Sequence, residues 1–372
     1  MKREAYAAAR TVSPAVHDYF ARRLQEARGD GLVAPLPSAE AIEGLIDAAF
    51  WASLLKVEGY VPRVSLAYLA PEDSADAMRF ERSLAVAAGA LTRVAPAVER
   101  PGVHLGVWHE AGELHVWGTT REIPKYCFVL EVSAPGLLVV KHHSGEEAGK
   151  FVNVAVLEGD RIKLVDESAR DLPECPELVT SLLGFASQAF WAHSVNVLVQ
   201  LAVSIRAHGR GGCLLIVPAD NEEWRESIVA PLGYAVVPPF TKLAELSAHV
   251  SEVDADDLTR TVDWIAGLTA VDGATLMNDR YELLGFGAKI TRRRKFAQVE
   301  QVKVTEPVQG SAAALVHPEE LGGTRHLSAA QFVHDQRDAI ALVASQDGRF
   351  TVFEWSPCDW MVHGHRVEAL LL

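Results

Sequence analysis

The alternation of apolar and polar positions divides the chain into two differently patterned halves. Near the N-terminus a mixed polar helix is expected, followed by a clearer one. Over Glu40–Leu55 the apolar side chains Ile42, Leu45, Ile46, Ala49, Phe50 and Leu54 recur at helical spacing. Pro62–Leu69 reads as a strand and Ala75–Val94 as a further helix. From Val103 the period shortens to two. Short strands punctuated by turns are predicted at Val103–Trp108, Glu113–Trp117, Lys125–Val132, Gly136–Val140, Phe151–Val156 and Arg161–Val165. Residues 1–166 are therefore expected to form an α+β domain with an antiparallel sheet.

Residues 167–176 are polar and contain Pro173 and Pro176, which suits a linker. Beyond them the pattern turns to long apolar segments. No charge occurs between Leu178 and Ile205, and Gly209, Gly211 and Gly212 close that stretch. Cys213–Val217 then reads as a strand buried on both faces. Helical stretches at Glu222–Val229 and Asp254–Leu268 lead to a hairpin that starts at Asp272. A helix is predicted to open near Thr324 and run to about Gln336, with strands at Ala339–Ala344 and Phe350–Phe353. Residues 177–372 are thus expected to be an α/β domain with a mixed sheet, and the fold class of the whole chain is α/β.

Composition narrows the function. The 372 residues are almost half apolar, which suits two globular domains, and the formal net charge is −14. Such an acidic chain is not expected to bind nucleic acid generally, since that needs excess Lys and Arg. Cys127, Cys175, Cys213 and Cys358 show no metal or redox spacing, so a reducing compartment is expected. No signal-peptide pattern begins the chain, and the location expected is cytoplasmic. Gln188, His193, Asn196 and Gln200 interrupt the uncharged stretch, which therefore reads as a buried helix or helix pair with no role in a membrane.

Several tempting groups read as ordinary structure. His104, His109, His115, His142 and His143 fit packing and polar surface on strands better than a metal site. Ser144–Phe151 imitates a phosphate loop but has the wrong glycine spacing, and Phe151 stands where a Ser or Thr is needed. His363-Gly364-His365 reads as tail. The basic run Arg292-Arg293-Arg294-Lys295 is either a solvated loop or a lure for triphosphate or nucleic acid.

Two stretches point to chemistry. Gly322-Gly323-Thr324-Arg325-His326-Leu327-Ser328 is a small-residue turn opening a helix, where unpaired N–H groups and the helix dipole favour phosphate. About fifty residues upstream, Asp272-Gly273-Ala274 places a carboxylate where a sugar hydroxyl or a metal ion has access. Taken in order with Ser345-Gln346-Asp347-Gly348, these motifs resemble the diadenylate cyclase domain of the DNA-integrity-scanning family, over roughly Pro176–Leu372. The first domain is similar in position to the sensor domains that precede such cyclase domains.

The resemblance implies that two domains, face to face in a homodimer, each hold one ATP and condense the pair into cyclic di-AMP and pyrophosphate with Mg²⁺ or Mn²⁺. It gives catalytic roles to Asp272, Arg325 and His326, and nucleotide contacts to Gly273, Ala274, Gly323, Thr324, Arg325, His326 and Ser328. Asp272 and Asp347 would hold the metal. Two positions depart from the family. Leu327 replaces the second arginine of Arg-His-Arg, which removes a charge-assisted phosphate contact worth about 1.5–3 kcal/mol, and Gln346 replaces the first residue of the strand-end acidic pair. The alternative implied is a weak or inert cyclase-like domain that binds ATP or a cyclic nucleotide as a sensor.

Overall fold

The computed structural model describes residues 5–27, 34–56, 61–99, 102–143, 151–166, 192–248 and 255–372. The linker 167–176, the stretch 178–191 with Gln188, and the phosphate-loop look-alike at 144–150 lie outside the described residues. The chain divides into two compact units, Met1–Val165 together with Leu372, and Asp166–Leu371.

In the first unit, α1 (Ala7–Glu26), α2 (Ala39–Ser53) and α3 (Ala88–Val94) accompany eight strands. These are β1 (Ser65–Tyr68), β2 (Ala77–Ala85), β3 (His104–Glu110), β4 (Glu113–Thr120), β5 (Phe128–Ala134), β6 (Leu137–His143), β7 (Phe151–Glu158) and β8 (Arg161–Leu164). Their order in the sheet is β2-β4-β3-β1-β5-β6-β7-β8. The Ser38 hydroxyl caps α2 by accepting the Ala41 N–H at 3.2 Å. The apolar face of α2, with Ile42, Leu45 and Ile46, packs with Leu66, Leu105, Phe128 and Leu130 into the main core.

Two expectations change here. The sheet is antiparallel except for β1 and β3, which run parallel, so it is mixed. The segment expected as one helix, Ala75–Val94, is strand β2 followed by the short α3. Ala, Met, Arg, Glu and Leu in β2 favour a helix locally, but pairing with β4 decides the outcome. The strand lies at the sheet edge, largely exposed, with a register shift between Arg79 and Leu84, so its alternation is not visible.

The second unit is built on a nine-stranded sheet in the order β10-β12-β11-β9-β15-β16-β17-β13-β14. The strands are β9 (Gly212–Val217), β10 (Tyr234–Phe240), β11 (Ala274–Asn278), β12 (Leu283–Ala288), β13 (Val302–Thr305), β14 (Ala314–Val316), β15 (Ile340–Ala344), β16 (Phe350–Ser356) and β17 (Met361–Arg366). Both parallel and antiparallel neighbours occur, so the sheet is mixed as expected. The helices are α4 (Ala192–Ala207), α5 (Lys242–Ala248), α6 (Ala255–Leu268), α7 (Pro318–Gly322) and α8 (Thr324–Asp335).

Central strand β9 is buried along its whole length. Its Cys213, Leu215 and Val217 share a core with Ala329, Phe332 and Val333 of α8, and α4 packs against α6. The stretch Glu222–Val229 contains only a 3-10 turn, Glu223–Ser227. His363-Gly364-His365 is no tail. It forms the middle of β17 between β16 and β13, with His365 Nδ1 2.7 Å from the Thr305 hydroxyl and His363 Nε2 2.9 Å from the Asp359 carboxylate.

Candidate functional site

Register brings the site together. Thr275 lies opposite Leu214, Ala274 opposite Ala288 and Ala344 opposite Gly212. The starts of β9 and β11 and the ends of β12 and β15 therefore lie at the same end of the sheet's strands. Helix α6 ends at Leu268, and a turn carries the chain through Asp272 into β11. Gly273 has φ +111°, and a β-carbon there would lie 2.6 Å from the Gly287 carbonyl carbon and 2.8 Å from the Ala288 oxygen. The turn rests directly on the end of β12, so only glycine fits. Ala274 is buried at the start of β11 and belongs to the core; it fixes the turn from beneath and offers no surface to a ligand.

The Asp272 side chain is 89 % exposed. It forms an ion pair with Lys289, the first residue beyond β12. The hydrogen bond and charge of Lys289, followed by the more distant charge of Arg325, hold the Asp272 carboxyl below the usual carboxylate range. Two cations, one from each motif region, thus act on the same exposed carboxylate.

Arg325 comes from the start of α8. The preceding helix α7 is opened by a capping box between His317 and Glu320, and Gly323 at φ +80° ends it and redirects the chain. Gly323 offers no side chain to cap α8. Its carbonyl accepts the His326 and Leu327 N–H groups at 3.1 and 3.2 Å, leaving the Thr324 and Arg325 N–H groups at the open end. The exposed Thr324 hydroxyl stands beside them, and Ser328 is half-buried one turn further on. The Arg325 guanidinium lies over Gly211: a β-carbon at Gly211 would be 2.6 Å from Nη1, 3.2 Å from the Ala344 carbonyl oxygen and 3.4 Å from Gln346 Cγ.

His326 takes a different place from the one expected for a phosphate-gripping group. Its side chain is fully buried, its ring lies edge-on to Phe353 with centroids 6.0 Å apart, and Gly322 presses on it from the preceding turn. Among the described residues neither ring nitrogen has a hydrogen-bond partner of good geometry. Desolvation pushes its pKa from 6.5 to about 4, against weaker opposing effects of the Gly322 backbone and Asp347. A neutral imidazole in this position packs the helix start onto the sheet. It positions Arg325 and touches no open surface.

Asp347 lies in the turn between β15 and β16. The Ser345 hydroxyl donates to it and Arg349 Nε stands 3.2 Å away, and these hold its carboxyl below the usual range. Asp272 and Asp347 each have their own cation. Among the described residues no group of three or more His, Cys, Asp or Glu side chains is placed to share a metal ion. A single exposed, ionised carboxylate still suits Mg²⁺ or Mn²⁺, because such ions take most of their ligands from water and substrate phosphates.

Lys289 and Gly211 are site residues that the sequence does not mark as such. Gly211 carried a signal only as a helix stop, and Lys289 carried none, because its proximity to Asp272 depends on strand register.

The basic run lies elsewhere. Arg293 pairs with Glu226 at 2.7 Å and Glu223 at 3.1 Å, and its N–H donates to Asp335 at the far end of α8. It borders a cleft of about 310 Å³ beside Trp224, Phe296 and Arg337, at the opposite end of β9 and β15 from Asp272. The reading in which this run draws triphosphate into the site is therefore replaced: Arg293 is structural, and Arg292, Arg294 and Lys295 are exposed around it.

The remaining sequence candidates are ordinary in their settings. His104 bonds the Ser65 hydroxyl at 2.7 Å and His142 the Tyr19 hydroxyl at 3.0 Å. Cys127 and Cys213 are buried and Cys358 is exposed, while Cys175 lies outside the described residues. Among the described residues no helix is long and apolar enough to cross a membrane.

Residues 32–121 match the family described as "Probable sensor domain DACNV". The first unit thus contains a region similar to a sensor domain. No curated protein matches the chain.

Proposed function

We propose that the second unit binds ATP at the strand ends shared by Asp272 and Arg325, and that two such units condense two ATP molecules into cyclic di-AMP under control of the sensor-like first unit. The observation that carries this reading is the convergence of motifs about fifty residues apart. An exposed carboxylate and an open helix start bearing a guanidinium lie at the same end of the central strands, Asp272 just before β11 and the Arg325 guanidinium over Gly211 just before β9.

The reaction is phosphoryl transfer. Each ribose 3′-oxygen forms a bond to the α-phosphorus of the other nucleotide, and the bond from that phosphorus to the β,γ-diphosphate breaks, releasing pyrophosphate. Catalysis of this kind rests on positioning and charge neutralisation. Asp272 would hold a divalent ion, which supplies charge neutralisation when bound. Arg325 and the open N–H groups of Thr324 and Arg325 would hold phosphate oxygens. Gly273 lets the carboxylate approach the sugar, and buried His326 keeps the helix start in place.

A second reading is supported by two observations. Leu327 offers an apolar side chain where the resembled family has arginine, and Lys289 already engages Asp272. Both suit a domain that holds ATP or a cyclic nucleotide without turning it over. Incubating the full chain with ATP and Mn²⁺ separates the two. Cyclic di-AMP with two pyrophosphates per product is expected; retention of intact ATP on the protein without product selects the binding reading.

A further inference from the structure

Beside the Asp272 turn stands an aromatic pair that no motif announced. Tyr234 opens the edge strand β10 and lies directly opposite Phe286 of β12. The rings are stacked, with centroids 4.7 Å apart and planes 16° apart. Although Phe286 covers one face, Tyr234 remains 56 % exposed, so its other face is turned to solvent.

Its position is held by backbone. Gly287 has φ +66° and passes so close that a β-carbon there would lie 2.8 Å from Tyr234 Cδ2. The same point lies 3.7 Å from the Asp272 carbonyl oxygen. The ring and the Asp272 turn therefore flank one glycine, and any larger residue at 287 would push the ring out of place. An exposed aromatic on a sheet edge can also invite another strand. Here Pro238 and Pro239 deprive β10 of two N–H donors, which opposes strand addition along that edge.

We propose that the open face of Tyr234 is the platform on which the nucleobase of a bound nucleoside triphosphate stacks. The proposal rests on the nucleotide reading above and names the residue that holds the end of the ligand farthest from its phosphates. A flat ring already backed by Phe286 loses little freedom on binding, and every base presents a π-face to it. The platform therefore distinguishes a nucleotide from bare polyphosphate, while adenine and guanine stack alike.

Calorimetry on the full chain with Mn²⁺ tests it, using α,β-methylene-ATP, which cannot react at the α-phosphorus, and inorganic tripolyphosphate. Tyr234→Ala is expected to weaken the nucleotide roughly tenfold to a hundredfold and to leave tripolyphosphate unchanged, and Tyr234→Phe is expected to retain wild-type binding. Equal nucleotide binding by wild type and Tyr234→Ala overturns the platform and leaves the nucleotide site standing. Loss of both ligands in Tyr234→Ala shows a merely structural role and also overturns it. If the wild type binds neither ligand, the nucleotide reading falls and takes the platform with it.

Discussion

The Arg325 guanidinium lies on the backbone of Gly211, in space that a side chain at 211 would occupy. This contact joins the helix-start motif to the residue that leads into central strand β9 and sets where the cation stands. Gly211→Ala adds a methyl group 2.6 Å from Nη1 at a position with φ +69°. The arginine must move, and the left-handed backbone costs about 1 kcal/mol. Nucleotide affinity should fall by roughly tenfold, as expected when one charge-assisted contact is lost, with only modest loss of stability. Calorimetry beside urea denaturation checks both. Unchanged affinity would show that the Arg325 position does not matter for binding.

Asp272→Asn keeps the shape of the side chain and removes its charge. Cyclic di-AMP formation should drop by roughly a hundredfold or more, the scale of losing a principal electrostatic group. Because the carboxylate is exposed and its partner Lys289 is exposed as well, solvent screens the pair and the urea midpoint should stay essentially unchanged. Product measured by mass spectrometry and a denaturation curve suffice. A fully active Asp272→Asn protein would remove the carboxylate from the mechanism.

Much of the second unit was legible because its apolar runs have clear periods. Cys213–Val217, the hairpin after Asp272 and helix α8 follow from local pattern. The strands β10, β13, β14 and β17 do not: they are short, or interrupted by Pro, Gly and His, and only the neighbouring strands complete them. In the site, Asp272 and Arg325 were marked by their motifs. Their helpers were not, since Lys289 reaches Asp272 across 17 residues by register and Gly211 meets Arg325 through the sheet. The burial of His326 was equally hidden. Neighbours on a helix point about 100° apart, and a string of letters does not show which of Arg325 and His326 faces outward.

The basic run should be irrelevant to nucleotide capture. Helix α8 has 12 residues and so spans about 18 Å, which places the run well beyond the Debye length of about 8 Å at physiological salt. Changing Arg292, Arg294 and Lys295 to Ser should leave the ATP association rate within about twofold in stopped-flow measurements at that ionic strength. A larger fall would restore a steering role.

Acid should weaken the second unit through His326. Its folded pKa of about 4 lies below the ordinary 6.5, so between these values the unfolded chain takes up a proton that the folded one refuses. Stability is therefore full above pH 6.5 and falls as the pH drops towards 4, by on the order of 3 kcal/mol in all. His326→Phe fills the same space without a titrating group. The fall in urea midpoint between pH 7 and pH 4.5 should be visibly smaller in that variant than in wild type, and an equal fall would mean that other groups carry the acid sensitivity.

Catalysis should also need two copies of the chain. On the proposed reading one unit holds one ATP, whereas the cyclic product requires two phosphoryl transfers, each joining the 3′-oxygen of one nucleotide to the α-phosphorus of the other. A symmetric pairing of identical faces meets that need and is the commonest oligomeric solution. The rate per protomer should accordingly fall on dilution. Mixing in excess Asp272→Asn protein sharpens the test, because a mixed dimer retains only one intact carboxylate. Such a dimer should complete one transfer and release a linear dinucleotide that still bears a 5′-triphosphate, at the expense of the cyclic product. If the rate per wild-type protomer is unaffected by both dilution and added variant, each chain works alone and the face-to-face arrangement is wrong.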